Sequence, residues 1–408
     1  MAQNTLTQAK TGWYLLGPAF VAAIAYVDPG NVAANASSGA QFGYLLLWVI
    51  VAANLMAGLV QYLSAKLGLV TGRSLPEAVG QRMNRPARLA YWVQAELVAM
   101  ATDLAEVVGG AIALRILFHL PLLVGGLITG VVSLLLLAIR DRRGQRLFEQ
   151  LITGLLLLIA IGFTASFFVA TPPPGAVLGG LVPRFDGTES VLLAAAILGA
   201  TVMPHAVYLH SGLARDRHGH PDAGPPRRWL LRVTRWDVAL AMMVAGGVNA
   251  AMLLVAALNM QGRGGTGSIE GAYAAVRDTV SPLIAVFFAI GLLVSGLASA
   301  SVGAYAGAMI MQGLLYRSVP MLARRLVTLT PAMLILAWGF DPTRALVLSQ
   351  VVLSFGIPFA LFPLVLLTSN RAVMGADTNH RATTAAGWAV ALMISLLNVM
   401  LVYLTVRG

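Results

Sequence analysis

Cysteine is absent from the 408-residue chain, and charge is scarce: 11% of the residues are Asp, Glu, Lys or Arg, against about 25% in an ordinary soluble protein. Without cysteine there are no disulfides, no thiolate metal sites and no cysteine nucleophile. With so little charge the chain cannot cover a water-facing surface, which excludes a cytosolic enzyme, a coiled coil and a disordered scaffold. What is abundant is apolar: 58% hydrophobic residues, with 42 glycines among the rest. The net charge of +11 raises nucleic acid or anionic lipid as partners, and the placement of the charges decides between them.

A bilayer core about 30 Å thick takes roughly 20 apolar residues per helix. Charge-free stretches bounded by charged residues predict eleven spans, at 14–40, 44–68, 88–115, 120–139, 148–170, 190–213, 235–259, 279–312, 319–339, 343–368 and 382–405. The stretch 279–316 is too long for one span and too short for two with a turn, so it is read as one long helix. The first segment is not read as a signal peptide, because no small-residue cleavage site precedes the continuing apolar run. With the N-terminus cytoplasmic, 21 of the 27 basic residues fall in inside loops. Six fall outside: Arg115, Arg184, Arg263, Arg277, Arg344 and Arg407. The split matches the positive-inside rule and predicts an external C-terminus. It also removes nucleic acid as a partner, since the basic excess is spread over several loops. No soluble domain fits between the spans. The longest linker carries His218-Gly219-His220-Pro221 and reads as a charged loop, and Pro172-Pro173-Pro174 reads as an outer turn. The pairs Gly126/Gly130 and Gly303/Gly307 read as close helix packing.

Asp28-Pro29-Gly30-Asn31 falls in the middle of the first span. Proline removes a backbone donor and glycine tolerates any backbone angle, so the helix opens there. Irregular backbone at membrane depth survives only where it lines a cavity or is buried in protein, and a carboxylate at that depth points to function. The sixth span breaks likewise at Gly199-Ala200-Thr201-Val202-Met203-Pro204-His205. Two breaks five helices apart are the layout of an inverted 5+5 repeat, with the substrate held between discontinuous helices at the midplane. The first repeat then spans 14–170, the second 190–368, and 382–405 is an eleventh helix in a single transporter domain. The breaks offer a carboxylate (Asp28), an amide oxygen (Asn31), a thioether (Met203) and the freed carbonyls of Ala25 and Ala200. Oxygen ligands suit Mn²⁺, Mg²⁺ or Ca²⁺; a thioether adds preference for softer first-row ions, so the mixture favours Mn²⁺ or Fe²⁺.

Asp-Pro-Gly-Asn in the first span together with Met-Pro-His in the sixth resembles the Nramp family of divalent metal transporters, over about 14–405. Because this chain keeps the methionine, the resemblance is to the bacterial manganese-transporting branch rather than to branches carrying Mg²⁺ or Al³⁺. It implies an all-α, LeuT-type fold and proton-coupled uptake of Mn²⁺ and Fe²⁺, with Cd²⁺ and Co²⁺ carried less specifically. Asp28, Asn31, Met203 and the Ala25 and Ala200 carbonyls are the implied ligands. Gln350, within Ser349-Gln350-Val351, resembles the family's state-dependent ligand. The metal is cargo, and no catalytic residue, cofactor, nucleic acid or obligate protein partner is expected beside protons and the lipid bilayer.

Three carboxylates in the third span, Glu96, Asp103 and Glu106, share one helix face, stacked over roughly 15 Å, and read as a proton relay or a watered vestibule. Arg324 and Arg325 lie near the cytoplasmic end of the ninth span. They either snorkel to the interface or pair with Asp103 and Glu106, the pairing the resemblance also implies. His205 titrates in the physiological range when unperturbed and joins the expected proton path. The competing readings are a divalent-ion channel, a carrier of another divalent cation, and an intramembrane hydrolase built on Asp28 and His205. No HExxH motif is present, and His205 and His210 do not share a helix face.

Overall fold

The computed structural model describes residues 17–143, 145–164, 172–218, 226–262, 268–279, 281–316 and 321–407. Among the described residues the regular structure is helical throughout. It comprises α1 (Pro18–Ile24), a 3₁₀ turn (Ala25–Val27), α2 (Pro29–Phe42), α3 (Leu47–Thr71), α4 (Leu75–Gly80), α5 (Arg85–Phe118), α6 (Leu122–Arg143) and α7 (Gln145–Thr164). The second part of the chain forms α8 (Pro174–Gly180), α9 (Gly187–Thr201), α10 (Pro204–His218), α11 (Arg227–Met260), α12 (Ile269–Thr279), α13 (Pro282–Leu315), α14 (Met321–Trp338), α15 (Pro342–Ser369), α16 (Arg371–Met374) and α17 (Arg381–Arg407). Seven helical stretches here, α9 and α10 taken together, are long and apolar enough to cross a membrane. The stretch 279–316 does form one long helix, α13, with α12 packed before it. The linker histidine His220 lies outside the described residues, as do 14–16, 165–170 and 319–320 of the first, fifth and ninth expected spans.

Helix ends follow local chemistry. Asn84 accepts from the Ala87 amide at 3.1 Å and Asp341 from the Arg344 amide at 2.6 Å, each with proline in the first turn. A side-chain acceptor thus replaces the missing intrahelical partner, and proline has no amide to orphan. The Pro172-Pro173-Pro174 turn leads straight into α8, whose first turn likewise begins on a proline with no amide to orphan.

Packing puts the broken helices in the centre. The α9–α10 stretch is 94% buried over its apolar window, whereas α17 is 28% buried and stands at the rim. Around the centre, α2 runs along α11, α9 along α15, α10 along α3, and α5 along α13. Gly68 on α3 lets α10 approach so closely that a Cβ there would lie 2.0 Å from the Ser211 carbonyl oxygen. Gly126 and Gly130 pack against Leu336, Met333 and Leu329 of α14, as helix-packing glycines should. Gly303 and Gly307 differ from the expectation. A Cβ at Gly303 would stand 2.8 Å from Glu106 Oε1, and one at Gly307 would stand 1.7 Å from Arg324 Nη2. This pair on α13 makes room for charged side chains rather than for a neighbouring backbone.

Candidate metal-binding site

The first break is built by Asp28. Its backbone is extended (φ −68°, ψ 168°), and its carboxylate caps α2 by accepting from the Asn31 amide at 2.7 Å. A carboxylate in the positive end of a helix is favourable, so the residue that ends the helical run also starts the next one. Pro29 follows at the first helical position. It has no amide to offer the carbonyl four residues back, which belongs to Ala25. The second break repeats the device: Val202 leaves the helical region (φ −105°, ψ 50°), and Pro204 opens α10 and leaves the Ala200 carbonyl without a helical donor. Both carbonyls predicted to face the site are therefore orphaned by a proline at the fourth position on.

The two breaks meet. Asn31 Nδ2 donates to the Ala200 carbonyl at 2.9 Å and to Asp28 Oδ1 at 3.0 Å. Gln350 on α15 donates through Nε2 to Asp28 Oδ2 at 3.4 Å. Gly30 is the reason α15 can come so near, since a Cβ there would lie 1.7 Å from Gln350 Nε2. Met203 is fully buried at the second break, and Asp28, Asn31, Ala25, Ala200 and Gln350 are buried to 1% or less. Two amide oxygens in this dry space, Asn31 Oδ1 and Gln350 Oε1, accept no hydrogen bond among the described residues. Buried oxygens without donors cost free energy unless something electropositive meets them. The arrangement offers one carboxylate, two amide oxygens, proline-freed carbonyls and one thioether. No cluster of three His, Cys, Asp or Glu occurs among the described residues.

The polar path of the third span is only partly as expected. Arg324 and Arg325 do not snorkel; they are 5% and 1% exposed. Arg325 pairs with Asp103 and donates through Nη2 to Ser133 Oγ at 2.9 Å. Arg324 pairs with Glu96 at 3.2 Å rather than with Glu106. The reason is geometric: adjacent residues on α14 point about 100° apart, so the two guanidiniums take separate carboxylates of α5. Glu106 is fully buried against Gly303. His205 Nδ1 lies 3.2 Å from Thr102 Oγ1, on the same helix as Asp103 and Glu106.

Several residues that sequence reasoning did not single out brace the breaks. Asn249 donates to the Tyr26 carbonyl at 2.7 Å and accepts from Asn35 at 2.8 Å. Ser295 donates to the Val27 carbonyl at 2.5 Å. Asp237 accepts from the Gly17 and Ala19 amides, both at 3.0 Å, and so caps α1 from another helix. The Tyr26 hydroxyl meets Gln61, whose Oε1 lies 2.6 Å from His210 Nδ1. Their only signal in the sequence is polarity inside apolar spans.

Residues 19–404 match the Nramp family, described as natural resistance-associated macrophage protein-like. The chain belongs to this family. It is 82% identical over 408 residues to a divalent metal cation transporter, MntH, of Mycobacterium tuberculosis, covering all of this chain and 95% of that protein. It is 48% identical over 395 residues to the Bacillus subtilis protein of the same name, covering 96% and 92%. Among solved structures, the Eremococcus coleocola manganese transporter superposes with a TM-score of 0.84 at 32% identity, over 96% of this chain and 86% of that one. Mhp1, a nucleobase-cation-symport-1 family transporter, shares the fold at a TM-score of 0.60 and 15% identity. Family and relatives are transporters, and the chain is not an enzyme.

Proposed function

We propose that this protein imports Mn²⁺ and Fe²⁺ across the cell membrane together with protons, carrying Cd²⁺ and Co²⁺ less specifically. The observation that carries this reading is the meeting of the two helix breaks. There the Asp28 carboxylate, the Asn31 and Gln350 amides and the Ala200 carbonyl come together in buried space, with two amide oxygens left without donors among the described residues. Its relatives are named divalent metal cation transporters and a manganese transporter. Asp28, Asn31, Met203, the Ala25 and Ala200 carbonyls and Gln350 hold the metal. The donated N–H groups of Asn31 and Gln350 turn away as their oxygens turn in. Eleven spans arranged as two inverted repeats and a peripheral α17 complete the architecture, with the N-terminus cytoplasmic and the C-terminus external.

Asp28 supplies the carboxylate of the proposed site, and an unpaired anion in a dry site is costly. Metal arrival therefore displaces a proton from Asp28, since ligands bind deprotonated. Glu96, Asp103, Glu106, His205, Arg324 and Arg325 form the outgoing proton path. The test is Mn²⁺ uptake into proteoliposomes carrying an internal pH dye: wild type concentrates Mn²⁺ with acidification, and Asp28→Asn loses both. Wild-type uptake by Asp28→Asn would overturn the site. Uptake that never exceeds the Mn²⁺ gradient would instead indicate a channel.

A further inference from the structure

Helix α15 contains two internal prolines, Pro358 and Pro363. Each lacks the amide that would bond the carbonyl four residues back, so the Ser354 and Phe359 carbonyls lose their helical donors. Both are met from other helices: Asn398 Nδ2 of α17 donates to the Ser354 carbonyl at 2.8 Å, and the Tyr91 hydroxyl of α5 donates to the Phe359 carbonyl. Asn398 also accepts from Ser354 Oγ at 2.6 Å, making a reciprocal two-bond clamp.

Asn398 is an expensive residue for its position. It is 4% exposed on a helix whose neighbouring Leu396 and Val399 are 68% and 65% exposed on the apolar rim. A buried amide costs free energy unless bonded, and an apolar side chain would suit this rim helix. What the clamp holds is the α15 turn that begins at Gln350. On the other side of that turn sits Gly199: a Cβ there would stand 1.9 Å from the Gln350 carbonyl oxygen and 2.9 Å from the Ser354 amide nitrogen. The turn is thus gripped between α9 and α17, one residue before Ala200 and one helical turn from the Gln350 side chain that reaches Asp28.

We propose that Asn398 is a positioning residue, which fixes Gln350 toward Asp28 by supplying the hydrogen bond that Pro358 denies to Ser354. This rests on the reading of Gln350 as a metal ligand. The experiment is Mn²⁺ uptake in proteoliposomes as a double-mutant cycle, with detergent-solubilised melting as the folding check. Asn398→Leu keeps the branched skeleton and suits a membrane helix; it should raise KM about five-fold, the scale of one net hydrogen bond, with a smaller change in maximal rate. In a Gln350→Ala background the same substitution should add no further rise. Adding Pro358→Ala, which returns the missing amide, should bring KM back toward that of Pro358→Ala alone. An equal rise with and without Gln350, or no recovery on removing Pro358, would reduce Asn398 to packing and overturn the proposal while leaving Gln350 as a ligand. An unchanged KM in Gln350→Ala alone would remove Gln350 from the metal site, and the positioning role with it. Should the leucine variant not fold, Asn398→Ala carries the same expectations.

Discussion

In the proposed site Met203 is the soft donor, and selectivity is expected to turn on it. Oxygen ligands alone discriminate poorly between Mn²⁺ and Ca²⁺, and an unwound-helix site adjusts to a somewhat larger ion. The thioether favours the transition metal and leaves Ca²⁺ under-coordinated, so selectivity arises as a difference of two affinities. A tenfold preference needs only about 1.4 kcal/mol, within reach of one ligand. Met203→Ala is therefore expected to retain Mn²⁺ uptake, with water in place of sulfur, while excess Ca²⁺ competes at least tenfold more effectively and Cd²⁺ uptake falls most. The check is a Ca²⁺ competition curve in wild type and variant; coincident curves with intact Cd²⁺ transport would make Met203 a packing residue. At this scale the two helix breaks were legible. Asp28-Pro29-Gly30-Asn31 and Met203-Pro204-His205 announce themselves because a helix can open in a membrane only with proline and glycine at hand. Asn398, Asn249 and Thr102 did not announce themselves, because a lone polar residue in an apolar span names no partner until the helices are packed.

At the scale of elements, the helices were legible because charge bounds them, and the connections were not. The short helices α4 and α12 fall between the expected spans, where hydropathy carries no signal. Yet α4 is well anchored. Ser74 and Glu77 form a capping box, the Leu75 amide donates to Ser211 Oγ at 2.8 Å, and Glu77 pairs with Arg215 of α10 at 2.6 Å. A strap between α3 and α5 is thereby tied to the second half of the broken helix. Burial pushes the Glu77 carboxyl upward, but its bonds from the Ser74 backbone and from Arg215 outweigh that and hold it below its ordinary value of 4.5. A folded-state value below the unfolded one means the unfolded chain takes up the proton more readily. The stabilisation is then present above about pH 4.5 and is lost as pH falls through the lower folded-state value. Melting of the detergent-solubilised protein should accordingly show Glu77→Gln less stable than wild type at neutral pH, with the gap closing in acid. A gap that stays constant through that range would mean the pair contributes nothing through charge. Of the expected pairing of Arg324 and Arg325 with Asp103 and Glu106, only Asp103 is paired and Glu96 takes the place of Glu106, because helix phase puts all three carboxylates on one face but does not say which of them an arginine reaches.

For the whole molecule, orientation and proton flow are linked, since a path must lead from the midplane site to one side. On the proposed eleven-span topology the basic residues split 21 to 6 in favour of one side, so an impermeant thiol reagent should label Gly179→Cys in intact cells and spare His220→Cys; the reverse pattern would invert the orientation. The background is clean because the chain has no cysteine of its own. Along α5 the carboxylates run from Glu106 through Asp103 to Glu96, with Arg325 paired to Asp103 and Arg324 to Glu96. A carboxylate paired in a dry interior resists protonation, because losing its charge strands the partner cation. On the proposed proton path the Arg325–Asp103 pair is separate from the metal ligands. On this argument metal binding and proton movement separate. Asp103→Asn leaves every metal ligand in place and should keep the Mn²⁺ affinity within about threefold by calorimetry, well under 1.4 kcal/mol. The pH-dye signal that accompanies uptake should fall at least tenfold, since the Arg325 charge, no longer neutralised, now opposes a proton leaving past it. Parallel loss of affinity and proton flux would identify the Arg325–Asp103 pair as a structural tie between α14 and α5 and would remove it from the proton path.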